Sequence, residues 1–219
     1  MQSKVVPAQQ ALEAFHDGMT IMISGFTNVG APNRFIMKLV EQGIKDIHLI
    51  SNDAGNDHTD GIGTLVCRRR VSTLIASHIG LNPEAGRQMS AGELAVTLVP
   101  QGTLAERIRC GGAGLGGVLT PTGVGTVVAE GKQVIEVNGR RYLLELPLRA
   151  QIAIVHAARA DAAGNLVYHR CGRNFNPMMA MAADLVIAEA EEVVEVGQLD
   201  PDEIMTPGVC VDMVVKERE

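Results

Sequence analysis

Val99-Pro-Gln-Gly-Thr-Leu-Ala-Glu-Arg-Ile-Arg-Cys-Gly-Gly-Ala-Gly-Leu-Gly-Gly-Val-Leu-Thr-Pro-Thr-Gly-Val-Gly-Thr126 follows from an apolar, strand-like run, Leu94 to Val99. It reads as a strand end, a proline, a lone glutamine, a short helix over Thr103 to Arg109, and then a glycine cluster. Seven glycines lie between Gly111 and Gly125, in a segment nearly free of charge. Glycine loses more backbone freedom on folding than any other residue. A cluster of this kind marks backbone that bends sharply or lies against a ligand or another chain. Its apolar character and core-like flanks exclude a flexible linker.

Working back to the N-terminus, the chain alternates strands and helices. Ala8 to His16 is a short helix ended by Asp17-Gly18, and Thr20 to Ile23 is a buried strand. Ser24 to Pro32 is a glycine-bearing loop, with Pro32 suited to the first turn of a helix that runs to Gln42. Phe35, Ile36, Leu39 and Val40 share one face of that helix, and Gly43 stops it. Strands follow at Asp46 to Ser51, Val71 to Ala76 and Leu94 to Val99. Asn52 to Gly63 reads as a polar loop, and Asn82 to Ser90 as partly helical. Apolar strands alternating with helices predict an α/β fold, an open, mostly parallel sheet with helices on both faces. Ligands of such sheets sit at the carboxyl ends of the strands.

Beyond Thr126 the pattern changes. Asn138-Gly139 stands between two strand-like runs within Gln133 to Leu146, the strongest short hairpin signal. This predicts an antiparallel β-hairpin excursion from the α/β body. Ile152 to Ala157, Asn165 to Tyr168, Leu185 to Ala188 and Val209 to Val215 read as further strands, and Pro177 to Ala183 as a Met-rich helix. No repeat or linker divides the chain, so residues 1–219 are read as one domain.

The 219 residues are 46% hydrophobic and 20% charged, a globular composition long enough for a sizeable core. A net charge of −6 argues against nucleic acid as the main partner. The basic run Arg68-Arg69-Arg70 reads as a solvated edge before a strand. With no tryptophan, a base-stacking platform is not expected either. Cys67, Cys110, Cys171 and Cys210 lie far apart without zinc-site spacing, which predicts reduced thiols in a cytoplasmic protein. No apolar run has the length of a signal peptide core or a membrane span.

Candidate sites are few. Gly25-x-x-x-x-Gly30 has half of a phosphate-loop pattern, but Ala31-Pro32-Asn33 stands where Gly-Lys-Ser/Thr is required. Anion binding at the helix N-terminus and a plain strand-to-helix turn both fit this loop. Gly112-x-Gly114-x-x-Gly117 has dinucleotide-fingerprint spacing, but a helix precedes it where a strand is needed, so no NAD site is expected. Gln101 sits just beyond a strand end, where its amide could donate to a developing oxyanion; on spacing alone it reads as a turn residue. His58, His78, His156 and His169 lack metal-ligand spacing, and no metal is expected. Ser24 and Ser77 lie in no nucleophile elbow. Asp53, Asp57 and Asp60 read as turn chemistry, and Glu106 and Arg107 as solvated or paired. The chain reads as a scaffold that holds a ligand but offers no convincing nucleophile.

Taken together, these stretches resemble the α subunit of family I CoA-transferases, of the acetate/butyrate–acetoacetate and 3-oxoacid type. The motifs are Asp17 to Pro32, Val99 to Arg109 with the glycine cluster, Thr120-Pro-Thr-Gly-Val-Gly-Thr126, Glu145-Leu-Pro-Leu-Arg149 and Arg173-Asn-Phe-Asn-Pro177. Ser77-His78-Ile-Gly-Leu-Asn-Pro-Glu84 is similar to the acetate–acetoacetate branch. One departure is Ser24, where the family has glycine. The resemblance implies a CoA-transferase-like fold, related to the ribose-phosphate isomerase type. It implies ping-pong transfer of CoA between an acyl-CoA and a short-chain carboxylic acid, through a glutamyl-CoA thioester. That glutamate lies in a Ser-Glu-Asn-Gly motif absent here; Glu84 does not match. The nucleophile is therefore expected on a partner β subunit, in a heterodimer or α2β2 heterotetramer. The same resemblance implies Gln101 as an oxyanion-hole residue. It implies Ser24, Gly25, Phe26, Thr27, Asn28, Val29 and Gly30 as the CoA-binding loop, with CoA a substrate rather than a bound cofactor. Gly111, Gly112, Gly114, Gly116 and Gly117 are implied at a subunit contact near the active site. A 3-oxoadipate or succinyl-CoA:3-oxoacid transferase subunit is the alternative within the family. Outside it, the alternative is a non-catalytic small-molecule-binding or sugar-phosphate isomerase-like protein.

Overall fold

A computed structural model describes residues 3–57 and 61–217. His58 and Asp60 lie outside the described residues. The chain runs α1 (Ala8–Leu12), β1 (Thr20–Ile23), α2 (Asn33–Gln42), β2 (Ile47–Ile50), α3 (Gly61–Cys67), β3 (Val71–Ala76), α4 (Pro83–Ser90), β4 (Ala95–Leu98) and α5 (Gln101–Gly112). It continues through β5 (Val118–Thr120), β6 (Val134–Val137), β7 (Arg140–Glu145), β8 (Ala150–Asp161), β9 (Leu166–Val167), α6 (Asn176–Met181), β10 (Ala183–Val194) and β11 (Met213–Lys216).

Among the described residues an open eight-stranded sheet has the order β11-β10-β8-β1-β2-β3-β4, with β9 antiparallel to β8 and every other pairing parallel. The pleat sends alternate side chains to opposite faces. Ile21 and Ile23 of β1 therefore enter a core with Phe35, Ile36 and Leu39 of α2 and Ile62, Leu65 and Val66 of α3. Met22, between them, enters the opposite core with Leu104 and Ile108 of α5 and Met179 of α6. The edge strand β4 departs from the expected two-sided burial: Ala95, Thr97 and Leu98 are exposed.

The chain lays down β1 to β4 outward in one direction, then returns to place β8 on the other side of β1. The strand order therefore reverses between β1 and β8, and a crevice opens at their carboxyl ends. The return path carries the excursion. Asn138 and Gly139, both at positive φ, make the predicted turn between β6 and β7. The structure adds a third strand, β5, which pairs with β7 through Val118↔Glu145 and Thr120↔Leu143.

Three local expectations are revised. Residues 61–67 are a buried helix, α3, not the end of a polar loop. Glycine is a poor helix former, yet a Cβ on Gly63 would stand 1.6 Å from the Asn56 carbonyl oxygen, so close packing requires glycine there. The helix predicted over 103–109 runs from Gln101 to Gly112. Strands β8 and β10 are each 12 residues long, because ten register pairs from Ala183↔Ala150 to Val194↔Asp161 sustain each other.

Candidate functional site

The loop after β1 is shaped by glycine. Gly25 has φ +124°, and a Cβ there would lie 2.7 Å from that of Ala31. Ser24, the departure from the resembled pattern, is fully buried; its N–H donates to Ile154 O at 3.1 Å and its Oγ lies 3.4 Å from Gly30 O. A hydroxymethyl group therefore fits where the pattern has glycine. Phe26 and Val29 exchange backbone hydrogen bonds at 3.0 and 3.1 Å around a tight tip with Thr27 at positive φ. These residues are 45% and 48% exposed, so the tip leaves two apolar groups open to solvent.

Residues at the ends of β2, β3 and β4 join this loop in one polar network. Asp53 Oδ2 accepts from Thr27 N at 2.8 Å and from Asn52 Nδ2 at 2.7 Å, and its Oδ1 accepts from Gly55 N at 2.8 Å. Ser77 Oγ donates to Asn52 O at 2.6 Å. Gln101 Nε2 donates to Asn52 Oδ1 at 2.7 Å. Gln101 is exposed and opens α5, directly after Pro100. Its amide carries a second N–H, and the first N–H groups of α5 with the positive end of its dipole lie alongside.

The N-terminus of α2 is already occupied. Pro32 provides no side-chain cap, and the carboxyl of Glu189, on β10, accepts from Phe35 N at 2.5 Å and from the Arg34 backbone. Burial raises the Glu189 pKa to about 7, against the lowering effect of those two bonds. The anion-binding reading of this helix start is therefore corrected: the chain's own carboxyl stands there.

On the β8 side, a cavity of about 310 Å³ is lined by Val29, Gly30, His156, Tyr168, His169 and Cys171, among others. Burial lowers the His156 pKa despite Glu191 Oε1 at 3.4 Å. His78 bridges to Asp53 through its backbone, at the end of β3. Among the described residues no group of three His, Cys, Asp or Glu side chains gathers as a metal site. Glu84 is held at a pKa of about 2, mainly by its hydrogen bonds from Arg87 and Gln88 on α4. Glu106 pairs with Arg109 at 2.7 Å, and Arg107 lies 3.8 Å from the buried Glu145.

The glycine cluster lies at the other end of α5 from Gln101, about 16 Å away at 1.5 Å per residue. A Cβ on Gly111 would meet Leu148 O at 1.9 Å, and one on Gly112 would meet Met181 Cβ at 2.7 Å. A Cβ on Gly117 would meet Glu145 O at 2.8 Å, whereas one on Gly114 or Gly116 would meet nothing within 4 Å. Gly111, Gly112 and Gly117 thus serve packing within the chain. Sequence reasoning missed Asn52, Ser77, Glu189 and Asn176. Asn176 lies inside the Arg173-Asn-Phe-Asn-Pro177 motif, Ser77 opens the Ser77 to Glu84 motif and Asn52 opens the polar loop, but Glu189 lies in none of these stretches.

A family model described as Coenzyme A transferase matches residues 5–217. The chain is 53% identical over 219 residues to acetate CoA-transferase subunit alpha of Escherichia coli K12, covering 100% of this chain and 99% of that one. It is 50% identical over 217 residues to the acetoacetyl-CoA:acetate/butyrate CoA transferase alpha subunit of Clostridium acetobutylicum, covering 99% of each. The crystal structure of glutaconate coenzyme A-transferase from Acidaminococcus fermentans shares the fold, with a TM-score of 0.87 at 21% identity over 98% of this chain and 75% of that one.

Proposed function

This chain belongs to the coenzyme A transferase family, and from that premise we propose that it is the α subunit of an enzyme moving CoA between acetoacetyl-CoA and acetate or a related short-chain acid. The observation that carries this reading is the exposed Gln101 amide, braced by the buried Asn52 and linked through Asp53 to the loop after β1. The carboxylate at that place, Asp53, is buried and accepts from three N–H groups, so it is held as a brace and not as a nucleophile.

In the proposed reaction the partner β subunit supplies a glutamate. Its carboxylate adds to the thioester carbonyl, and the C–S bond breaks to leave an acyl-glutamyl anhydride and CoA thiolate. The thiolate attacks the glutamyl carbonyl, releasing the first acid and forming a glutamyl-CoA thioester. The acceptor acid then reverses both steps and leaves as its CoA ester. Each addition places negative charge on a carbonyl oxygen. The second N–H of Gln101 donates to that oxygen, while Asn52 Oδ1 holds the first and fixes the amide's plane. The loop from Ser24 to Gly30 seats the CoA chain against Phe26 and Val29, with CoA a substrate throughout. A cytoplasmic location belongs to the same reading, supported by the free thiols of Cys67, Cys110, Cys171 and Cys210.

The test is acetate-dependent consumption of acetoacetyl-CoA by the chain alone and by the chain co-expressed with its β partner. Turnover is expected only in the pair, and is expected to vanish when the partner's glutamate becomes alanine. Turnover by the chain alone would overturn the split site.

A further inference from the structure

Strand β8 outruns β1. Their pairing ends at Ile23↔Ile154, and beyond it β8 continues to Asp161 beside β10, with β9 joining its other side only at Arg159 and Ala160. Residues two apart along a strand point their N–H groups to the same side. The carbonyl of Ile154 faces β1 and accepts from Ser24 N, so the N–H of His156 points into the gap where β1 has already turned away. An unpaired N–H there would be costly.

Asn176 fills that gap. It is fully buried at the start of α6. Its Oδ1 accepts from His156 N at 2.7 Å, while its Nδ2 donates to Gly30 O at 2.9 Å and to Gly172 O at 2.8 Å. A carboxamide has the donor and acceptor of a peptide group, so this side chain acts as one more residue of strand, set between β8 and the loop after β1. Asn174 adds a second tie: its Nδ2 donates to Val29 O at 2.9 Å and to Cys171 O at 3.0 Å, and its Oδ1 accepts from Phe175 N at 2.6 Å. The approach is so close that a Cβ on Gly30 would meet Gly172 O at 2.4 Å and Asn174 Nδ2 at 2.8 Å. From the opposite side Asp53 holds Thr27 N. The loop is therefore pinned at residue 27 by the end of β2, at residue 29 by Asn174 and at residue 30 by Asn176 at the start of α6. The tip residues Phe26 and Val29 stay exposed.

We infer that Asn176, assisted by Asn174, is the positioning residue of the acyl-CoA loop, fixing where Phe26 and Val29 stand without itself touching substrate. This inference rests on the reading that the loop seats CoA. In a ping-pong enzyme the two substrates have separate KM values, so a lesion confined to the loop separates them. A general loss of fold does not.

The experiment uses the assembled enzyme carrying Asn176→Asp or Asn174→Ala. Asn176→Asp keeps the shape and the bond from His156 N, but turns a carboxylate toward two carbonyl oxygens. Asn174→Ala removes the outer tie and is the milder lesion should the first fail to assemble. Hydrogen exchange of amides 26–31 is expected to quicken about tenfold, as for loss of one or two buried hydrogen bonds. The KM for acetoacetyl-CoA is expected to rise about tenfold, with the KM for acetate changing less than about twofold. Unchanged exchange in both variants overturns the inference. So does an equal rise of both KM values with a lowered Tm, which marks a structural role alone. If exchange quickens while the acyl-CoA KM stays still, Val29→Asp decides which claim fails. An unmoved KM in that variant removes the CoA reading of the loop. A raised one keeps that reading and overturns the positioning role.

Discussion

Gln101 and Asn52 are 49 residues apart in the chain, yet Gln101 Nε2 lies 2.7 Å from Asn52 Oδ1 because β4 and β2 end at the same edge of one parallel sheet, with β3 between them. Asn52 is buried and Gln101 exposed, so one amide is braced and the other is offered. Removing one oxyanion donor costs about 10²–10³ in kcat. Gln101→Ala in the assembled enzyme is therefore expected to lower kcat by about that factor, with little change in Tm. Asn52→Ala is expected to act through Gln101, so the double variant should be no slower than the worse single one. Additive losses in kcat would separate the two residues' roles.

Glu189 predicts a pH dependence of stability. Its pKa is raised by burial from 4.5 to about 7, so between these values the folded chain binds a proton that the unfolded chain has released. This group's contribution to stability is therefore greatest below pH 4.5, falls as pH rises through the window from 4.5 to about 7, and is level above it. The full difference is about 3 to 4 kcal/mol at most, for a shift from 4.5 to about 7 at about 1.36 kcal/mol per unit. Glu189→Gln keeps an oxygen acceptor for Phe35 N and removes the titration. Urea unfolding at stepped pH should show a flatter profile for the variant across that window. Identical slopes would mean that Glu189 does not titrate there.

Two glycines in helices should respond oppositely to alanine. A Cβ on Gly111 would press against Leu148 O at 1.9 Å, and neither α5 nor the strand entry at 148 can give way cheaply. Gly111→Ala is expected to destabilise by about 3 kcal/mol or more, as for severe overpacking. Gly86, in α4, has nothing within 4 Å of the added carbon. Gly86→Ala should stabilise by about 0.5–1 kcal/mol through lost unfolded-state freedom. Thermal denaturation of both variants checks the pair.

The excursion sheet is tied to α5 by a buried carboxylate. Glu145, 2% exposed, sits 2.6 Å from Lys132 Nζ and 3.8 Å from Arg107 Nε. Glu145→Ala leaves two cations facing each other without their anion, and should cost about 3 kcal/mol or more. Lys132→Met leaves Arg107 as partner and should cost clearly less. Chemical denaturation that ranks the two variants in the reverse order would put the anchoring charge elsewhere.

Features that depend on neighbours along the chain were legible in the sequence. The alternation of apolar strands and helices, the stop at Gly43 and the Asn138-Gly139 turn follow from periodicity and from residues that tolerate positive φ, and each stands in the structure. The resemblance motifs added the family and pointed at Gln101 and the loop from Ser24 to Gly30. Tertiary structure alone decided the strand order, and with it which residues meet. Glu189 reaches Phe35 across 154 positions and Asn176 reaches Gly30 across 146. No local pattern encodes such contacts, because they exist only once β1 lies between β2 and β8. The same cause hid α3. Gly61 and Gly63 are poor helix formers by propensity, and only the backbone pressed against Gly63 explains why glycine stands in that helix.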